Sequence, residues 1–120
     1  MGNDVLRKKS FAFAIRIVRM FQFLQSIKKE YVLAKQLLRC GTSVGSMIRE
    51  AEHAESKADF IHKMAVAQKE INEVLYWLEL LTSTDYLTQE QSDSMRADAI
   101  EILKMLTSTI KTAKNNNRTN

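Results

Sequence analysis

The chain has 120 residues, the size of one ordinary domain, and 45% of them are hydrophobic, enough for a core without disulfide staples. It has no proline, three glycines and one cysteine, too few turn formers for an all-β or α/β domain and too few cysteines for an internal disulfide. The net charge is +4 but unevenly spread: residues 1–50 carry ten Lys/Arg against three Asp/Glu, residues 51–110 carry five against eleven, and residues 111–120 carry three against none. Basic chain ends around an acidic middle suit either an anionic partner or attraction between subunits; the plainer reading is solvated faces segregated by helix. The abundance of Leu, Ile, Ala, Met, Glu, Lys, Gln and Arg predicts an all-α fold.

The first helix is expected from about Asp4 to Ser26. It carries two apolar tracks at helical spacing, Phe11, Ala14, Ile15, Val18 and Phe21, and Phe13, Ile17, Met20, Leu24 and Ile27. Arg16 and Arg19 break the stretch, so it reads neither as a secretory core nor as a membrane span. Two apolar faces exceed what one small bundle covers, which predicts a subunit interface, assigned to Phe13, Ile17, Met20 and Leu24. The alternative is one wide face inside a tightly packed bundle.

A turn is expected near 27–31, although no Gly or Pro marks it. The second helix, about 31–54, buries Leu33 or Ala34, Leu37, Leu38, Gly41, Val44, Ile48 and Ala51. Gly41 and Gly45 sit in a run of small residues, which points to close helix approach or a kink; the alternative is a loop at 41–46. Ser56 with Asp59 marks the start of a third helix over about 57–82, cored by Phe60, Met64, Ala67, Ile71, Val74 or Leu75, and Leu78. Thr88 with Gln91 starts a fourth over about 89–113, cored by Met95, Ala99, Ile102, Leu103, Leu106 and Ile110. Residues 114–120 read as a polar tail. Four amphipathic helices with short connections give an antiparallel up-down four-helix bundle as the simplest architecture.

Little in the chain points to catalysis, and the expectation is a non-enzymatic protein without catalytic, cofactor or metal residues. Cys40 has no histidine within a few residues, so a Cys–His nucleophile lacks support. Glu50-x-x-His53 and Asp59-x-x-His62 each place a carboxylate and an imidazole one turn apart. The first helix, however, has no Asp or Glu between Val5 and Lys29, so a di-iron bundle would miss a ligand. Gly41 and Gly45 lack the Lys-Ser/Thr ending of a phosphate loop. Basic residues remain. Lys28, Lys35, Arg39 and Arg49 align on the second helix, and Lys9, Arg16 and Arg19 on the first, with Lys8, Lys111, Lys114 and Arg118 as additions. Such stripes suit phosphate backbones without base reading.

One stretch resembles a known family. It comprises Gln36-Leu37-Leu38-Arg39, Ser43-Val44-Gly45, Arg49-Glu50-Ala51, Ala54-Glu55-Ser56-Lys57-Ala58-Asp59-Phe60, then Ala67, Glu70, Glu73 and Tyr76-Trp77-Leu78-Glu79-Leu80-Leu81. It resembles the bacterial four helix bundle protein family, also called the 23S rRNA intervening-sequence protein family, a relative of the accessory variability protein of diversity-generating retroelements. The resemblance spans Ser10 to about Leu87. Met47 departs from it, because many members have Asn there. The resemblance implies an up-down bundle that forms a homopentameric ring, nonspecific RNA or DNA binding through basic surfaces, and no catalytic residues. The retroelement relative implies an alternative, an adaptor that meets an acidic partner such as a reverse transcriptase-type protein. A cytoplasmic location without membrane contact is expected. Glu50, which matches the motif, is expected to tie its helix to a neighbouring basic residue or helix end.

Overall fold

The computed structural model describes residues 2–119, with side chains from 4 to 116. Its helices are α1 (Gly2–Ser26), α2 (Val32–Glu52), α3 (Lys57–Ser83) and α4 (Gln89–Thr119), and the described residues contain no strand. α2 packs on α1 and α3, α3 on α4, and α4 more lightly on α1, while the diagonal pairs do not approach. The result is a rod of 53 × 21 × 20 Å.

The caps written in the sequence are present. Ser56 Oγ accepts from Asp59 N at 3.1 Å. Thr88 and Gln91 cap reciprocally, Gln91 N donating to Thr88 Oγ1 at 3.1 Å and Thr88 N to Gln91 Oε1 at 2.9 Å. α3 ends with Asp85 at φ 70, its N donating to Thr82 O while Tyr86 N donates to Leu81 O. That pattern is a Schellman motif with aspartate in place of the usual glycine.

The unmarked turn after α1 is held by backbone and carboxylate together. Lys29 takes φ 58, and Glu30 N donates to Leu24 O at 2.9 Å. The Glu30 side chain turns inward, only 9% exposed, and accepts from Ala34 N at 2.9 Å. A carboxylate there satisfies an otherwise unpaired donor and faces the positive end of α2.

The core is built from the period-3.6 positions: Leu37, Val44 and Ile48 of α2, Met64, Ile71 and Leu78 of α3, and Met95, Ile102 and Leu106 of α4 are all buried. α2 continues unbroken through 41–46, so no loop divides it. A Cβ built on Gly41 would lie 2.7 Å from Cδ1, Cγ1 and Cγ2 of Ile17, so the glycine lets α2 sit directly on α1. At Gly45 the same Cβ meets Ser10 at an ordinary 3.5 Å. α4 passes through the asparagine run expected to lie outside it. Ala113 is buried and extends the stripe by a turn, and each further residue of a formed helix adds one hydrogen bond.

The assignment of α1's two tracks needs correction. Phe13, Ile17 and Leu24, expected to meet another copy, are at most 1% exposed in the chain's own core, and Met20 is half-buried against it. The close approach at Gly41 draws the Ile17 track inward. The other track is left outside, with Phe11 55%, Ile15 47% and Val18 36% exposed.

Candidate assembly and nucleic-acid surfaces

The basic residues do not form the continuous stripes expected from their spacing, because several are engaged across helices. Lys9 Nζ lies 3.3 Å from Glu101, and Arg16 lies 2.6 Å from Asp98 and also donates to Ser94 Oγ at 2.8 Å. Arg39 pairs with Glu70 at 3.2 Å and with Glu73. Lys8 is 3.5 Å from Asp4. The acidic middle of the chain thus answers its basic first half inside one subunit. A cation held against a carboxylate offers a phosphate much less than a free one.

Among the described residues Lys57, Lys69, Arg96 and Lys104 stand singly on α3 and α4 with no carboxylate within 4.0 Å, and three further groups of cations escape this pairing likewise. Lys28 and Lys35, with Lys29 between them, lie around the α1–α2 turn. Lys111 and Lys114 lie late in α4, and the side chain of Arg118 falls outside the described residues. Arg19 and Arg49 border the exposed track of α1. Arg19 reaches Gln22 at 3.5 Å, and the Arg49 guanidinium stands 5.2 Å above the Phe11 ring, a cation–π contact. A shallow groove along this face is lined by Phe11, Ala14, Ile15, Val18 and Arg19.

The polar cluster near the α2–α3 turn is a structural tie. Glu50 accepts from Lys63 Nζ at 3.0 Å, and this hydrogen bond raises the lysine's pKa and keeps it charged. The two elements joined are α2 and α3, as expected of Glu50. Asp59 accepts from Glu55 N at 3.2 Å, and His53 and His62 are exposed. Among the described residues no three His, Cys, Asp or Glu side chains are grouped to hold a metal. Cys40 is buried beside Leu37 O, and burial pushes its thiol up to about 12, which makes it a poor nucleophile near neutrality. No described helix is long and apolar enough to cross a membrane.

Sequence spacing missed two features. The pairing of the exposed Arg39 with α3 has a signal in the sequence, since Glu70 and Glu73 are three apart on one face of α3. The exposure of Ile27, Tyr31 and Val32 beside the turn lysines has none, because exposure at a helix junction depends on where the next helix leads.

Comparison with known proteins agrees with this architecture. No curated protein matches the chain. The crystal structure of a protein of unknown function from the S23 ribosomal protein family of Bacteroides thetaiotaomicron superposes with a TM-score of 0.91 at 53% identity, covering 92% of this chain and 99% of the other. Residues 3–108 match the family described as 23S rRNA-intervening sequence protein. That match, over most of its length, places the chain in the 23S rRNA-intervening sequence protein family.

Proposed function

We propose that the protein is a non-enzymatic helical scaffold, an antiparallel up-down bundle that assembles with copies of itself and binds RNA or DNA nonspecifically. The observation that carries this reading is the outer face of α1. Phe11, Ile15 and Val18 lie at i, i+4 and i+7, over a third exposed, with Arg19 and Arg49 at the edges. An apolar stripe of this length, rimmed by charge, is the usual mark of a contact surface. Its burial against a second copy would bring together cations that are sparse on one subunit, as in the five-membered ring implied by the family resemblance. The antiparallel sense is supported by the ion pairs: partners on α4 fall from Glu101 to Asp98 as α1 runs from Lys9 to Arg16. The reading includes a cytoplasmic location, since a chain with a single cysteine needs no oxidising compartment for an internal disulfide.

The test is in two parts. Light scattering should give a multiple of the 13.8 kDa chain, and Ile15→Glu should reduce it toward one chain without loss of helicity. Wild-type protein that is monomeric at micromolar concentration removes the assembly. Anisotropy titrations of labelled oligonucleotides should show binding that weakens with salt, with a log–log slope of about −0.9 for each duplex phosphate neutralised. No binding at low salt removes the nucleic-acid role.

A further inference from the structure

We propose that the α1–α2 turn is the docking point for single-stranded nucleic acid, an inference that rests on the nucleic-acid reading above and specifies its site and strand class. Within nine residues the turn presents three exposed lysines, Lys28, Lys29 and Lys35, and three exposed apolar side chains, Ile27 at 67%, Tyr31 at 49% and Val32 at 72%. The only acid in this segment, Glu30, is folded inward onto Ala34 N. Its charge is spent on starting α2, so this turn presents lysines alone, while the exposed acids at the same end of the rod, Asp85 and Glu90, belong to the α3–α4 connection and the start of α4. The turn is also fixed in shape, because Glu30 N bonds to Leu24 O and both Ile27 N and Lys28 N bond to Phe23 O. The apolar side chains are therefore displayed by a defined backbone.

Lysines answer phosphates, and the Tyr31 ring and the two aliphatic side chains answer the faces of bases. A duplex hides its base faces by stacking and can use only the lysines. An unpaired strand can use both, which selects it over duplex. The further cations spaced along the 53 Å rod, at Arg19, Arg49, Lys111 and Lys114, suit a linear polyanion better than a flat anionic surface touching one end. Ile27 lies twelve residues beyond Ile15 and past the end of α1 at Ser26, away from the centre of the exposed track.

The experiment compares a fluorescein-labelled 20-nucleotide single strand with its duplex at low salt. The wild type should bind the single strand about tenfold more tightly, the order expected of one or two stacked bases. Tyr31→Ala should lose most of that preference with duplex binding unchanged, and Tyr31→Phe should retain it. Joint replacement of Lys28, Lys29 and Lys35 by glutamine should weaken both and flatten the salt dependence. Equal affinity for strand and duplex, or indifference to Tyr31→Ala, overturns the docking site while nucleic-acid binding stands. Failure of the wild type to bind either probe overturns both. Capture by phosphatidylglycerol vesicles without binding to either probe assigns the tip to lipid and overturns the proposal as well.

Discussion

The tightest test of the fold is a pair of glycine substitutions one helical turn apart. Replacing a mid-helix glycine by alanine gains about 1 kcal/mol of helix propensity where space allows. At Gly45 space allows: the new Cβ would meet Ser10 O and Oγ at 3.5 Å. At Gly41 it would lie 2.7 Å from three atoms of Ile17, which is fully buried. That side chain is β-branched, stiff at χ1 and enclosed, so it cannot swing aside and the helices must separate. Overpacking of this kind costs about 1–3 kcal/mol, which cancels or exceeds the propensity gain. Gly45→Ala should therefore stabilise by about 0.5–1 kcal/mol and Gly41→Ala should be neutral to about 2 kcal/mol destabilising. Urea titration with circular dichroism reads the difference, and in thermal melts each kcal/mol corresponds to about 3–5 °C for a domain of this size. Ile17→Ala removes the three atoms concerned. Alone it should cost about 2–5 kcal/mol, but combined with Gly41→Ala it should cost less than the sum by at least about 1 kcal/mol. Equal stabilisation by both glycine variants would refute the close approach.

Two further outcomes follow from single side chains. Because burial holds the Cys40 thiol protonated up to about 12, above its ordinary 9.0, the unfolded chain loses that proton first as pH rises. Stability should be unaffected by this group below pH 9 and fall between 9 and 12; Cys40→Ala should lessen the fall, and at pH 8 a thiol reagent should react only when urea unfolds the chain. Rapid labelling of the native protein would contradict the burial. Glu30→Ala should cost about 1 kcal/mol, the usual loss for a helix-start acceptor, whereas Glu30→Gln should keep most of it; equal urea midpoints for Ala and wild type would show that the Ala34 contact contributes nothing.

How much of this was readable from sequence depends on whether the cause is local. The starts of α3 and α4 are local, since Ser56 with Asp59 and Thr88 with Gln91 act within four residues, and both were legible. The turn after Ser26 was placed without a signal, because it uses a lysine at positive φ and a glutamate acting one residue before the usual cap. The reach of α4 beyond Ala113 was missed, because an asparagine run looks like a stop even where a helix already formed can continue through it. The two apolar tracks of α1 were both visible, but choosing the inner one was not a local matter. It was decided on another helix, by the missing side chain at Gly41. Sequence spacing counts apolar faces; only the partner decides which is covered.

The same logic applies to charge. Read along the chain, basic residues in the first half and acidic ones in the middle look like a molecule waiting for an anion. In the bundle, they lie opposite one another: Lys9 and Arg16 of α1 against Glu101 and Asp98 of α4, and Arg39 of α2 against Glu70 and Glu73 of α3. Each exposed pair contributes at most about 1 kcal/mol, so their value lies less in stability than in fixing which helix faces lie side by side. Among the described residues the α1·α2 seam carries one cross-helix ion pair, Arg7 with Glu52 at 3.6 Å, and relies on the close fit of Ile17 on Gly41. Charge order and small residues thus divide the work of arranging the helices. An anionic partner meets only what this arrangement leaves over. Part of that remainder, Lys28, Lys29 and Lys35, sits at the turn whose one carboxylate has been drawn inward to start α2.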